Sequence, residues 1–439
     1  MTEYEIEKTK NIPVIADVDV LVCGGGPAGI GAAVCAASMG VKTLVVEMFD
    51  CLGGIATSGM MSHWGGASSS IVMLEIFRRT REKCNVLGWA DENSAEIAQI
   101  HHEAQKIALD EFVAEVGADV LFYTKVCGVK MNGNRIEGVF VENKSGRGFI
   151  KAKIIVDATG DGDVAYYAGV PFYKGRESDG KMQPVSVMFK LGGVDYSRAV
   201  FPHCFEASIP LDNGEELQSL GKKLLPFPAG HVLLYRQPTP GTVCCNMTNA
   251  IDVDGTDARS LSNALMQCRS QLEPIIDFLH KNAPGYENCW LMSTGPLIGV
   301  RETRHFEGVE RLEKEDILNA RYFDNWIVRH AYFNFDVHNM SGNGLDETGV
   351  QDKFGQTRGY TIPYGCLLPK TVEGLLLSGR NISGSHIAHS NFRIMSVCIA
   401  LGEAAGAASA LCVKNKLASL KDVNVSGIQK AVTGAKFNK

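Results

Sequence analysis

The sequence predicts an α/β fold in which a parallel sheet carries an antiparallel β-meander and an α+β domain is inserted before the chain returns to the sheet. Three observations predict it. Residues 17–47 alternate an apolar strand, a glycine turn, a small-residue helix and a second strand. Residues 118–157 read as short alternating strands joined by glycine turns. Near the C-terminus, Gly374-Leu-Leu-Leu-Ser-Gly-Arg380 reads as a buried parallel strand leading into a Gly/Ala-rich helix.

The first unit, DVDVLVCGGGPAGIGAAVCAASMGVKTLVVE from Asp17 to Glu47, contains Gly24-x-Gly26-x-x-Gly29 between strand and helix. Each part suits a dinucleotide, and the whole unit is Rossmann-like. Gly24 allows a tight turn out of the strand. Gly26 has no Cβ, so a pyrophosphate can approach backbone N–H groups at the helix N-terminus, where the dipole favours negative charge. Gly29 lets the helix lie close on the sheet. Glu47, ending the second strand, stands where a carboxylate can accept both hydroxyls of an adenosine ribose. A glycine-rich turn without a ligand would not explain that acid.

A glycine-rich loop, 50–70, and helices near 71–86 and 94–117 follow. The meander then runs through DVLFYTKVCGV, RIEGVFVEN and RGFIKAKIIVDAT, with Asn132-Gly133 and Ser145-Gly146 at its turns. Between residues 173 and 343 the chain is richer in Pro and His, with strands VSVMFKLGGV and HVLLYRQ and a long helix near 257–282. This stretch reads as an inserted substrate domain. Residues 1–172 form the first part of the nucleotide-binding domain, 344–420 its returning part, and 421–439 a C-terminal tail or helix. At 439 residues, two joined domains are the natural expectation.

Three later features separate a flavin protein from a nicotinamide one: the loop Leu52-Gly-Gly-Ile-Ala-Thr57-Ser-Gly59, the strand end VDATGDGD through Gly160 and Asp161, and LLLSGR before the last long helix. At these residues the chain resembles the glutathione-reductase-type FAD flavoproteins. Within them it is similar to an FAD-dependent oxidoreductase family distantly related to the fumarate reductase flavoprotein and to glucose-inhibited division protein A. The resemblance spans residues 17–68, 118–165, 295–310 and 360–412. It implies non-covalent FAD, with Gly24, Gly26, Pro27, Ala28 and Gly29 at the pyrophosphate and Glu47 at the ribose. Gly53, Gly54 and Thr57 would line the pyrophosphate and ribityl region, Val126 and Cys127 the adenine, and Gly160 and Asp161 the pyrophosphate. Gly379 and Arg380 would lie near the ribityl chain. Arg380 departs from the acid common there in relatives, and arginine can bind phosphate oxygens instead. Arg393, Ile394 and Ser396 would meet the flavin ring edge, where the helix N-terminus stabilises negative charge on reduction. The absence of a second strand-glycine-helix unit argues against a dedicated nicotinamide domain.

Candidate chemistry clusters late in the chain. Between Arg380 and Arg393 stand His386 and His389, either of which can transfer a proton near neutral pH. Gly299-Val-Arg301-Glu-Thr-Arg304-His305 offers Arg301, and less strongly Arg304, for a ligand-facing role, against the plainer reading of a solvated charge ladder. His63 lies just past the flavin loop; His338 and Tyr364 are weaker candidates. His63 and Cys51 are the positions considered for covalent flavin. Cys244 and Cys245 read as two buried residues on opposite faces of a strand.

The remaining composition excludes several classes. A net charge of -6 without a basic cluster argues against nucleic acid or an anionic membrane. The start MTEYEIEKTK is not a secretory signal, and the apolar stretch from Ile394 to Val413, broken by Glu403, reads as a buried helix. Thirteen scattered cysteines point to a reducing cytoplasm. No metal is expected: His101-His102-Glu103 suits a solvated helix, and His386-x-x-His389 lacks zinc-like partners. The expected activity is hydride transfer between a small polar metabolite and flavin N5 with histidine-assisted proton transfer. A separate electron donor or acceptor is expected, and homo-oligomerisation is left open. The alternatives are a flavin-dependent tRNA-modifying enzyme and a non-catalytic flavin-binding protein.

Overall fold

The computed structural model describes residues 11–88, 99–202, 209–345, 356 and 358–434. In chain order the first region contains β1 (Val14–Cys23), α1 (Pro27–Ser38), β2 (Thr43–Val46), α2 (Ile71–Val86), α3 (His102–Glu115), β3 (Asp119–Leu121), β4 (Lys125–Asn132), β5 (Arg135–Asn143), β6 (Gly146–Asp157) and α4 (Asp163–Tyr167). Next come β7 (Phe172–Lys174), β8 (Phe189–Gly192), α5 (Leu217–Leu224), β9 (Leu234–Arg236), β10 (Val243–Cys245), α6 (Ala258–Ser270), α7 (Leu272–Asn282) and β11 (Trp290–Thr294). The chain closes with β12 (Arg304–Phe306), α8 (Lys314–Leu318), β13 (Trp326–Ala331), β14 (Tyr360–Pro363), β15 (Leu375–Leu377), α9 (His386–Phe392), α10 (Met395–Lys414) and α11 (Val425–Gly434).

The large sheet runs β3-β2-β1-β6-β5-β4, with β15 also on β6. β6 joins its two characters. It is parallel to β1 along its length, antiparallel to β5 through residues 146–151, and parallel to β15 at Ile155, Val156 and Asp157. The expected meander and the expected returning strand therefore meet on one strand. DVLFYTKVCGV is not one strand, however. Leu121 stays beside β2, Tyr123 takes a positive φ of 52°, and its N–H bonds Phe49 O before β4 starts. The turn lets the chain leave the parallel sheet and rejoin it as the outer meander strand.

α1 and α10 cross backbone to backbone, which places both helix N-termini at one end of the sheet. A Cβ added at Gly402 would stand 2.0 Å from Ala28 O, and one at Gly406 would stand 2.3 Å from Ala32 O. Only glycine allows this approach. α10 is long and apolar enough to cross a membrane, but 89% of its most apolar window is buried against the fold. It is a core helix, as its composition predicts.

A second core is built from residues such as Phe189, Leu191, Leu217, Leu234, Val243, Ile275 and Tyr286, around the sheet β11-β8-β10-β9. Phe306, Leu312, Trp326, Val328, Phe335 and Val337 pack instead in the core of the first sheet. The expected helix over 257–282 is two helices, α6 and α7. Pro274 has no N–H to continue the ladder, and Gln271 at the junction turns its amide to Asn249 N and O (2.9 and 2.8 Å). The second early helix begins at His102, and residues 89–98 lie outside those described. Its histidines are not solvated: His101 caps α3 through Ala104 N at 3.3 Å, and His102 is buried with Nε2 3.0 Å from Met61 O. Cys244 and Cys245 are both buried on β10, as expected.

Candidate functional site

At the end of β1, Gly24 takes φ +100°, and a Cβ there would meet Ala158 O at 2.4 Å. At Gly29 a Cβ would stand 1.8 Å from Gly24 O, so this glycine brings α1 onto the turn. Gly26 differs. A Cβ built on it meets nothing within 4 Å, so the space before α1 is open. Gly53 donates its N–H to Gly25 O at 2.8 Å, and a Cβ on Gly54 would lie 3.0 Å from Gly26 Cα. The second glycine loop thus borders the opening from the other side. Neither α1, capped by Gly26 after which Pro27 begins the helix, nor α10, capped by Ile394, has a side-chain cap, which leaves their first N–H groups for another acceptor.

Glu47 is buried, and its Oε2 and Oε1 accept Gly25 N–H at 2.6 Å and Phe49 N–H at 2.8 Å. Burial raises its carboxyl above the ordinary value despite those bonds. Each oxygen retains acceptor capacity for a hydroxyl. The segment entering β4 lies beside it, since Thr124 N bonds Glu47 O at 2.8 Å, so Val126 and Cys127 follow close behind. Thr57 donates its hydroxyl to Leu52 O at 2.6 Å, and Ser396 donates to Gly65 O at 2.7 Å. Both hydroxyl protons serve the loop; their oxygens remain acceptors.

β6 ends in a buried Asp157, whose Oδ1 and Oδ2 accept from Thr159 and Ala165 N and whose carboxyl burial pushes up to about 6. The following turn is an ion-paired knot. Asp161 Oδ1 accepts from Thr303 Oγ1 at 2.8 Å and from Arg380 Nη2 at 3.0 Å, and Arg304 Nη1 bonds Asp161 O at 2.9 Å. Arg380 lies over Gly160, and its buried Nη1 has no partner among the described residues. Gly379 sits beside Ala28 at the start of α1. These features fit an ADP-bearing cofactor: an open glycine cradle, uncapped helix ends, an orphaned guanidinium nitrogen and a ribose-type acid.

The expected proton-transfer residues stand on a short buried helix. His386 begins α9, and His386, His389, Asn391 and Phe392 are all buried. Glu302 is the residue the charge-ladder reading missed. Its Oε1 lies 2.6 Å from His386 Nδ1 and 2.8 Å from His305 Nε2, while its Oε2 accepts Gln183 N–H at 3.1 Å. Burial alone would raise Glu302, but the two histidines outweigh it and hold the carboxyl well below the usual range. Each imidazole therefore donates to an ionised acid. His386 Nε2, His305 Nδ1 and His389 Nδ1 are buried without a partner among the described residues. His305 stacks on Tyr173 at 4.8 Å and meets His389 edge-on at 4.9 Å. Burial, followed by His305, pushes His389 well below its ordinary value, so it is neutral.

Ligand atoms of Glu302, His305 and His389 lie within 4.8 Å of one another. Within this group Glu302 Oε1 is 2.8 Å from His305 Nε2, and His389 packs edge-on against the His305 ring.

Arg301 and Arg393 are close enough to feel each other's charge, and each has its own partners. Arg393 Nη2 bonds Asp336 O at 2.9 Å and Oδ2 at 2.8 Å, with His338 Nε2 3.4 Å from Asp336 Oδ1. Arg301 donates from Nη1 to Pro184 O at 2.6 Å. Burial, then Arg393, pushes Arg301 down to about 10, still protonated at neutral pH. Arg304 is tied into the Asp161 and Asp163 knot under Tyr166. His63 packs on Tyr235 at 5.1 Å, and Tyr364 bonds Leu420 O inside the core at 3.0 Å. Glu302 and Asp336 had no sequence signal beyond Glu302 standing inside the Arg301–His305 segment.

The family described as FAD dependent oxidoreductase matches residues 19–432. Among curated relatives, digeranylgeranylglycerophospholipid reductase of Picrophilus torridus is 29% identical over 171 residues, covering 35% of this chain and 42% of the relative. Thiamine thiazole synthase of Methanococcus maripaludis is 30% identical over 161 residues, covering 33% of this chain and 57% of the relative. The chain thus matches about half the length of these relatives. The solved flavin-dependent brominase Bmp2 shares the fold at a TM-score of 0.51 and 13% identity, over 95% of this chain and 84% of that one.

Proposed function

The chain belongs to the FAD-dependent oxidoreductase family, and from that premise we propose that it passes a hydride between a small polar metabolite and flavin N5 while His386 moves the accompanying proton. FAD, when bound, supplies the two-electron chemistry. The chain's residues bind, orient and move protons. Gly26, Gly54 and the α1 N-terminus would receive the pyrophosphate, and Glu47 the ribose. Arg380, with a spare guanidinium nitrogen, suits the cofactor's phosphate–ribityl side. The N-terminus of α10, with Arg393 before it and Ser396 in its first turn, would stabilise negative charge on the flavin.

One observation carries the choice of His386. Its Nδ1 is held by Glu302 at 2.6 Å, leaving Nε2 unpartnered among the described residues, an arrangement that fixes tautomer and direction. His389 lacks such a carboxylate bond among the described residues and is held neutral by burial. A separate electron donor or acceptor completes the cycle, and cysteine usage supports a cytoplasmic setting.

The test is to purify the protein with FAD, record its visible spectrum, and screen metabolites anaerobically for bleaching. The expected result is reduction by a specific polar substrate, slowed in H386Q while flavin stays bound. A colourless protein after reconstitution, or an H386Q variant reduced at the parental rate, would overturn the reading.

A further inference from the structure

We propose that Glu302, His305 and His389 form a binding site for one divalent transition ion of the zinc or ferrous class, set behind His386. The site goes beyond the hydride reading and does not depend on it. Along the chain His386-x-x-His389 lacks zinc-like partners, but the fold supplies them from Glu302 and from His305 on β12. One ligand atom from each of the three residues lies within 4.8 Å of the other two, and all three residues are buried. Glu302 Oε1 and His305 Nε2 are already 2.8 Å apart. Two atoms bonded to one ion at about 2.1 Å lie at most about 4.2 Å apart, so the group has only to contract around an ion.

A second observation is independent of that spacing. His305 Nδ1 and His389 Nδ1 are both buried without a partner among the described residues. A buried polar nitrogen without a partner is unfavourable, and an imidazole lone pair is a common ligand of transition ions. The donors are also held in place by their surroundings. His305 lies on Tyr173 with ring centroids 4.8 Å apart and planes 10° from parallel, and His389 stands edge-on to His305 at 4.9 Å and to Phe392 at 5.4 Å. His386 Nδ1 at 2.6 Å and Gln183 N–H at 3.1 Å fix the two oxygens of Glu302, contacts of the kind that orient a ligating carboxylate. The arginines whose charge reaches His389 have acids of their own: Arg380 bonds Asp161 and Arg393 bonds Asp336. Two imidazoles with one carboxylate suit zinc or ferrous ion, whereas magnesium and calcium take oxygen ligands. Glu302 would then serve the ion and His386 together, so a bound ion would bear on the direction and basicity of that imidazole.

The FAD-loaded protein is purified without a metal-affinity step, stripped with dipicolinate, and titrated anaerobically with Zn2+ and with Fe2+. Binding is read from competition with a chelating dye, from elemental analysis after gel filtration, and from the melting temperature. About one ion per chain is expected to bind and to raise the melting temperature. H305Q and H389Q should each weaken that binding about 100-fold or more with the flavin band intact, whereas H386Q, which removes only an outer contact to Glu302, should cost about tenfold. A stripped protein that takes up neither ion would overturn the proposal. So would binding that is unchanged in H305Q or in H389Q, which marks an adventitious ion only. None of these readouts needs turnover, so their failure leaves the hydride reading standing, and an ion-loaded protein whose flavin no metabolite bleaches strikes only that reading.

Discussion

His386 Nδ1 lies 2.6 Å from Glu302 Oε1, although the two residues are 84 positions apart in the chain. The carboxylate also holds His305 and is fully buried, so it has no water to share its charge. Such a buried acid gives each imidazole one tautomer and one direction. Substituting Glu302 should act on chemistry more than on substrate binding. E302Q is expected to lower kcat about tenfold or more with KM within roughly twofold, and H386Q to lower it about 100-fold. Stopped-flow flavin reduction across substrate concentration separates the two constants. An E302Q variant that raises KM and spares kcat would remove Glu302 from the proton path.

Gly26 and Gly29 sit in the same motif but should fail differently. A Cβ at Gly26 meets nothing in the protein, whereas one at Gly29 would stand 1.8 Å from Gly24 O. G26A should leave the flavin-free protein within roughly 2 °C of the parental melting temperature. Its methyl intrudes where backbone meets pyrophosphate, and FAD affinity should fall about tenfold or more. G29A should be destabilised without flavin, by about 1–3 kcal/mol or more. Equal melting losses in both flavin-free variants would contradict the open cradle.

Stability should fall as pH rises through the Glu403 titration. Glu403 is buried in the middle of α10, where Oε1 accepts from Ser70 Oγ and from Val72 N–H at 2.9 Å. Burial raises its carboxyl to about 7 against an ordinary 4.5. The fold therefore favours the protonated acid. Its contribution is complete below about pH 4.5 and is lost as pH rises through 7, a change on the order of 3 kcal/mol. Asp157, raised to about 6, adds in the same direction. E403Q keeps an acceptor for both donors and should flatten this slope. Denaturant melts at pH 5 and pH 8 measure it, and an unchanged slope in E403Q would rule Glu403 out as its source.

The α1–α10 contact should resist any side chain at Gly402. A methyl there would press on Ala28 O from 2.0 Å, at the turn of α1 that also holds the pyrophosphate cradle. G402A is expected to cost about 1–3 kcal/mol and to weaken FAD binding together with stability. Calorimetry with and without FAD checks both; a neutral substitution would contradict the close packing.

Much of the cofactor half was legible because its signals are local. Gly24, Gly26 and Gly29 act within one turn, the meander declares itself by alternation and glycine turns, and LLLSGR reads as a buried strand from composition alone. The strand split at Tyr123 and the short helix at His386–Phe392 were not legible. The first is imposed by a hydrogen bond to Phe49 and the second by burial against distant segments.

The sequence by itself determined the ADP grip, because strand, turn, helix and acid are consecutive and each has one geometric task. It also marked Arg301, His386 and Arg393 as reactive types in the right company. Only the tertiary structure decided how they divide. Neighbours in sequence, Arg301 and Glu302 take opposite parts: one donates to Pro184 O, the other holds His386 and His305. An ion's partner inside a protein is set by which buried surfaces close around it, and those surfaces come from segments that are remote in the chain.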